Sequence, residues 1–262
     1  KVQYFYLAKT NLFRYLFVVL KINYSNLYKE AENLNKQYKS NKPFPHIHID
    51  NFLSKNNYNF INKSFPNPKN KIWKKPDNRN TKGKSVTVRG KHDLKEFQYS
   101  NNARNIFFEL NSGLFLRFIE KITGITGLLP DPYFAESGFH QTQNHGYLNI
   151  HADFSHHDYL GLERRVNFLY YINNNWKENY KGNLSLYNKK VEPIKTYQPL
   201  GNRCIIFTTS NSSYHGHPEK LNLPKGIYRR SIAMYYYTLP TRKRSKKKIL
   251  FPLDKNFKHK VT

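Results

Sequence analysis

The spacing of apolar residues changes character near Pro130. Before it, Phe107, Phe108, Leu110, Leu114, Phe115, Phe118, Ile119 and Ile122 recur at helical intervals. They predict one amphipathic helix from about 104 to 123, stopped at Gly124. After Pro130 the runs are short and alternate. Strands are predicted at 134–142, 146–151, 164–173, 183–188, 203–208 and 228–238, separated by turn-rich segments. The pattern predicts a mainly β architecture with supporting helices, built as a barrel or double sheet.

The chain upstream is more polar. Residues 1–43 read as a basic helical arm; Asn26 to Leu34 is its most helix-compatible stretch, and Pro43 and Pro45 end it. His46 to Leu53 alternates like a strand. Residues 54–100 are rich in Asn, Lys and Pro and are expected to form loops with short helices. Four regions follow: the arm at 1–43, a mixed helix and loop support at 44–129, a β core at 130–240, and a basic tail at 241–262 that contains Arg242-Lys243-Arg244-Ser245-Lys246-Lys247-Lys248. No internal repeat is present.

Composition narrows the partners. The 262 residues suit one large domain or a core with an added arm, and 16% aromatic content supplies rings for that core. The net charge is +27, from 44 Lys and Arg against 17 Asp and Glu. Such a field attracts nucleic acid or another anionic surface, with the arm and tail as contacts. The abundance of Lys, Asn, Ile, Tyr and Phe also fits codons of an AT-rich genome, which would give the charge no specific partner. The single cysteine, Cys204, excludes an intramolecular disulfide and is expected to be a buried, inert thiol. That fits a reducing compartment, and a cytoplasmic location is expected. No apolar run approaches the length of a transmembrane helix, and Tyr15 to Leu20 is short for a signal-peptide core. The sequence starts at Lys1, so a start further upstream is expected.

The candidate chemistry lies in the β core. His151-Ala152-Asp153 is followed by His215, and Arg229 stands 14 positions after it (229 − 215). Two imidazoles and one carboxylate hold non-haem Fe(II) on one face and leave the other positions open for a co-substrate and oxygen. A late basic residue then offers a partner for an anionic co-substrate. Zinc hydrolases also use His and carboxylate ligands, and Arg229 is what favours an oxygenase. With 11 histidines in the chain, rivals must be weighed. His48-Ile49-Asp50 is also H-x-D, but it precedes the β core and lacks its own distal His and basic residue; a half-buried strand is its expected role. His156 and His157 are expected in a solvated turn. His217 is placed to substitute for His215 as a ligand. His140 and His145 are expected to be structural.

Five segments together resemble the 2-oxoglutarate/Fe(II)-dependent oxygenases, in their prolyl-4-hydroxylase-like branch. They are Gly146 to Phe154, Arg165 to Asn173, Trp176 with Gly182 to Leu186, Asn202 to Phe207, and Tyr214 to Pro218 through Tyr228 to Tyr237. The resemblance covers about residues 130–240 and implies a double-stranded β-helix (jelly-roll, cupin-like) catalytic core. It implies Fe(II) on His151, Asp153 and His215, and 2-oxoglutarate held at its far carboxylate by a basic residue and by Tyr171. Arg229 and Arg230 compete for that role. Neighbours on a strand face opposite ways, and Arg229 shares its face with Ser231 in the family's R-x-S arrangement, so Arg229 is preferred. Arg230 is expected on a solvated outer face, and Tyr170 in packing. Gln141 is placed near the other end of the co-substrate. Gly182-Asn183 stands where many relatives have Gly-Gly, and only a turn effect is expected.

The implied reaction consumes O2, releases succinate and CO2 and hydroxylates a substrate, with ascorbate as reductant. The nearest expectation is a prolyl residue of a peptide or protein; a small metabolite, lipid or sugar intermediate is the alternative. Nucleic-acid demethylases of the AlkB type carry a second Arg six positions after the first. Here that position holds Tyr235 from Arg229 or Tyr236 from Arg230. JmjC-type demethylases use a Lys on an earlier strand instead. A catalytically inactive cationic binding module would show a broken ligand set or clamp, and neither is broken.

Overall fold

The computed structural model describes residues 20–73, 88–93, 98–134 and 137–241. The first part of the basic arm and the tail beyond Thr241 lie outside the described residues.

Among the described residues four helices precede the β core: α1 (Tyr24–Ser40), α2 (Lys55–Ser64), α3 (Asn101–Leu110) and α4 (Gly113–Thr123). Each begins at a short polar side chain that accepts a backbone N–H of the first turn. Asn23 accepts from Asn26, Ser54 from Asn57, Ser100 from Ala103 and Ser112 from Phe115. Such a cap satisfies an otherwise unpaired donor, for about 1 kcal/mol. The last of these caps corrects the expected single helix over 104–123. Asn111 closes α3, and Ser112 restarts the chain as α4. The helical periodicity runs through both because both pack against the same sheet. Gly124 ends α4 at φ 72°, a left-handed position that suits glycine.

The described residues form nine strands, in chain order β1 (His46–Ile49), β2 (Val88–Asp93), β3 (Gly138–His151), β4 (Glu163–Tyr171), β5 (Leu184–Tyr187), β6 (Pro193–Tyr197), β7 (Cys204–Thr208), β8 (Tyr214–His217) and β9 (Arg229–Thr238). They pair in the order β1-β7-β4-β9-β3-β8-β5-β6, with β2 beside β3, and every pairing is antiparallel. β3 belongs to both halves of this curled sheet. Its residues 138–142 pair with β9, whereas Leu148 and His151 pair with β8. The two halves face each other as a double-stranded β-helix, as expected.

β3 replaces the two strands expected at 134–142 and 146–151. The chain bends within it rather than ending, and His145 takes φ 59° at the bend. β2 falls in the stretch expected to be loops and short helices. β6 had no expected strand because Pro193, Ile194, Lys195 and Thr196 are all exposed. A proline and outward charges on an edge strand leave no apolar alternation to read.

The helices cover one face of the larger half. Ile232, Met234 and Tyr236 of β9 join Phe115, Phe118, Phe139 and Phe168 in that core. The alternate residues Ala233, Tyr235 and Tyr237 turn to the barrel interior. A strand buried on both faces reads as a continuous apolar run, which is the character of β9. Tyr170 packs in the helix-side core, and its hydroxyl donates to Asn202 Oδ1 at 2.8 Å. Cys204 is fully buried, and burial pushes its thiol pKa well up, as befits an inert side chain. Among the described residues no helix is long and apolar enough to cross a membrane.

Candidate metal centre

His151 is the last residue of β3, and its direct partner across the ladder is His215 of β8. This register brings the two rings to a centroid distance of 4.5 Å. Asp153 follows two residues later. His151 Nε2 is 3.4 Å from Asp153 Oδ1, and His215 Nε2 is 3.6 Å from Asp153 Oδ2. Among the described residues this is the one group of three His, Cys, Asp or Glu side chains that could hold a metal ion, its ligand atoms lying within 4.8 Å of one another.

The tautomers fit that role. His151 Nδ1 donates to the Asn149 carbonyl at 2.7 Å, and His215 Nδ1 donates to the Ser213 carbonyl at 3.0 Å. A carbonyl oxygen only accepts, so each Nδ1 carries the proton and each Nε2 keeps its lone pair. Backbone carbonyls orient metal-binding imidazoles in this way. Burial pushes the His215 pKa down to about 4, so the ring is neutral near pH 7. Burial would raise the Asp153 carboxyl, but the Arg164 guanidinium opposes it and the group is held well below the usual carboxylate range. Two neutral imidazoles and one carboxylate are the donor set that suits Fe(II).

These shifts predict an acid-sensitive apo fold. His215 titrates at about 4 when folded, against 6.5 when unfolded. The unfolded chain therefore binds the proton first, and the stability present above pH 6.5 is lost as pH falls toward 4. The loss from this one group is about 3 kcal/mol. Asp153 is also depressed and acts with the same sign below 3.8. Melting curves of chelator-treated protein between about pH 7 and 4.5 should show a steeper fall for the unaltered chain than for His215→Gln. Parallel curves would contradict the assignment.

Gly216 keeps the two histidines adjacent. A Cβ there would stand 2.7 Å from the Asn149 carbonyl oxygen and 2.9 Å from that of Leu148, both backbone atoms of β3. Gly216→Ala must push β8 away from β3 and part His215 from His151. A stability loss of about 1–3 kcal/mol with weakened metal binding is expected, measurable by thermal melts and metal titration.

Arg229 and Tyr171, expected to hold a co-substrate carboxylate, lie side by side. Arg229 Nε donates to the Gly182 carbonyl at 2.8 Å, and its Nη2 donates to the Tyr171 hydroxyl at 3.2 Å. Ser231 lies opposite Tyr171 across the ladder, on the face that Arg229 shares. Gly182 permits this approach: its φ is 74°, and a Cβ would meet Leu221 at 2.3 Å and Arg229 Cδ at 3.1 Å. Phe207 packs in the same inner cluster as Tyr171 and touches the His215 ring at 4.8 Å between centroids. Clamp and triad therefore share one interior.

Other expected positions resolve differently. Gln141 faces the helices, not this interior: its Nε2 donates to the Pro68 carbonyl at 3.0 Å, just beyond α2. It shares the face of Phe139, two residues earlier, which packs on Phe65. Arg230 is likewise on the helix side. Its guanidinium lies 5.2 Å from the Phe65 ring and is half-buried, in place of the solvated face expected. His156 and His157 are buried, not solvated. His157 Nε2 donates to Asp131 at 3.0 Å, while its Nδ1 accepts the N–H groups of Tyr159 and Leu160. The ring thus pins the loop that follows Asp153. His48 packs against Tyr197 with its ring tilted, 4.7 Å between centroids, and Asp50 is taken by Arg203, whose Nη2 donates to it at 2.8 Å. His217 is buried opposite Leu148, and His140 is buried opposite Ser231. His145 is exposed at the β3 bend.

Two polar partners of Asp153 had no sequence signal. Arg164 Nη2 donates to Oδ2 at 2.9 Å, and Asn167 Nδ2 donates to the same oxygen at 2.6 Å. Both come from β4, and in so basic a chain Arg164 looks like one cation among many.

Comparison with known proteins agrees with this geometry. Residues 137–237 match the 2OG-Fe(II) oxygenase superfamily. A prolyl hydroxylase from Trichoplax adhaerens, solved with a hypoxia inducible factor oxygen degradation domain peptide fragment, has a similar fold: TM-score 0.57 and 15% identity, covering 81% of this chain and 91% of that one. A prolyl 4-hydroxylase from Phytophthora capsici gives TM-score 0.52 and 12% identity, covering 83% of this chain and 66% of that one. No curated protein sequence matches. The residues of the triad and the Arg229 and Tyr171 pair fall within this matched segment, which is similar to the 2OG-Fe(II) oxygenase superfamily, and the fold is like that of the prolyl hydroxylases.

Proposed function

We propose that this protein is an Fe(II)- and 2-oxoglutarate-dependent dioxygenase that hydroxylates a prolyl residue of a peptide or protein. The observation that carries the proposal is the pairing of the His151, Asp153 and His215 donor set with the Arg229 and Tyr171 clamp in one barrel interior. Bound Fe(II) with 2-oxoglutarate supplies oxygen activation and C–H hydroxylation, releasing succinate and CO2.

The chain's own residues supply binding and order. His151, Asp153 and His215 hold the ion from one side. Arg229 offers a planar fork of donors suited to a carboxylate, and the Tyr171 hydroxyl is fixed beside it. Ser231 adds a small polar side chain on that face. The surrounding inner cluster of Leu184, Leu186, Ile205 and Phe207 is apolar and excludes water. Tyr159, in the loop after Asp153, is 78% exposed, and its ring lies tilted 5.6 Å from that of Tyr133, which is 54% exposed. Paired exposed rings of this kind suit an extended, proline-bearing segment. The prolyl hydroxylase structure solved with a peptide fragment lends support to a peptide substrate.

A screen of proline-containing peptides and small metabolites, with Fe(II), 2-oxoglutarate and ascorbate, tests the substrate. A peptide product heavier by one oxygen, about 16 mass units, is expected, with the gain on a prolyl ring. Oxygen gain confined to metabolites would replace the peptide assignment. No product with any class would favour an inactive binding module.

A further inference from the structure

The carboxylate of Asp153 is held in place by protein donors alone. Oδ2 accepts from Asn167 Nδ2 at 2.6 Å and from Arg164 Nη2 at 2.9 Å. These donors are fixed in turn. Arg164 Nε donates to Asn167 Oδ1 at 2.9 Å, and Thr209 Oγ1 donates to the same oxygen at 3.1 Å. The Arg164 guanidinium carbon lies 3.4 Å from the Tyr235 ring centroid and 4.4 Å from that of Phe154. Arg164 has no solvent exposure. A buried guanidinium is costly unless it is paired, and the carboxylate it pairs with is the one in the triad.

We propose that Arg164 and Asn167 are positioning residues that reserve Oδ2 of Asp153, so that the carboxylate meets the metal through Oδ1 alone. The inference rests on the metal-site reading given above. A free carboxylate can grip an ion with one oxygen or both. Gripping with both would use a coordination position that a chelating co-substrate and oxygen require. Here the second grip would have to break two hydrogen bonds to the ionised carboxylate, at 2.6 and 2.9 Å, both of them charge-assisted. The stacked guanidinium also removes the rotational freedom through which Asp153 could turn away from the histidines. The Arg164 charge opposes a nearby cation, whereas the fixed geometry favours binding. A substitution at Asn167 isolates the geometry because it keeps that charge.

Titration of the full metal-free chain with Co(II), followed by calorimetry and visible absorption, tests the proposal. Asn167→Ala is expected to weaken Co(II) binding by about 10- to 100-fold, the usual consequence of losing an outer partner of a ligand. It should also alter the Co(II) absorption bands as Oδ2 becomes free to coordinate. Arg164→Lys retains a cation but loses the planar fork and should show the same direction of change. Melting temperatures of the metal-free variants establish that each is folded; if one is not, the other carries the test. A purely structural role would lower melting temperature while leaving Co(II) affinity and spectrum unchanged, and that result in a folded variant would overturn the proposal. Failure of the unaltered chain to bind Co(II) would overturn the metal reading itself, and this inference with it.

Discussion

Asp153→Ala is expected to abolish divalent-metal binding and 2-oxoglutarate turnover, and to destabilise the protein as well. The two effects have separate causes. Removing the carboxylate deletes the only anionic ligand of the triad, leaving two neutral imidazoles to hold a dication. It also leaves the fully buried Arg164 without the carboxylate that compensates it. Breaking a buried pair from one side costs about 3–5 kcal/mol, or roughly 6–20 °C in melting temperature for a chain of this size. His151→Ala provides the contrast. It removes a ligand but strands no charge, so turnover should vanish with a smaller loss of stability. Metal titration and thermal melts of both variants separate the ligand role from the ion-pair role. Equal melting temperatures would show that Arg164 does not depend on Asp153.

Arg229→Ala is expected to raise the KM for 2-oxoglutarate by about 30- to 4,000-fold, the equivalent of about 2–5 kcal/mol for truncating one side of a buried, hydrogen-bonded charge pair. Metal affinity should change little, because Arg229 is not among the triad. Arg229→Lys should fall between the two, since an ammonium restores charge without the bidentate fork. Arg230→Ala is the control. Its guanidinium packs over Phe65 on the helix side, so its loss should touch stability and leave the co-substrate KM unchanged. A larger KM effect at Arg230 than at Arg229 would reverse the assignment.

Particular residues show why some of this was legible in the chain and some was not. β9 announced itself because burial on both faces makes Ile232 to Tyr237 apolar throughout. β8 did not, because its four residues are Tyr214, His215, Gly216 and His217 and its chemistry displaces the apolar alternation. His215 was nevertheless found, through its order after His151 and before Arg229. Strand alternation implies that only one of Arg229 and Arg230 faces the interior, the R-x-S resemblance with Ser231 favours Arg229, and the two side chains do point to opposite sides of β9. The same alternation places Gln141 with Phe139, but its actual partner is a carbonyl 73 residues away, which no local pattern reveals. Arg164 and Asn167 were invisible for a related reason. Their partner Asp153 meets them only after the loop closes, and the loop is fixed by the buried His157 and Asp131 pair that local polarity made look solvated.

On the proposed function, the triad and the clamp act together on 2-oxoglutarate. Succinate formation from 2-oxoglutarate, measured with added Fe(II) and a proline-containing peptide pool, tests it most directly. Unaltered protein should form succinate only when Fe(II) is present, His151→Ala should form none, and Arg229→Ala should recover activity only at much higher 2-oxoglutarate. Equal succinate formation by all three proteins, or formation that persists after chelation, would contradict the claim.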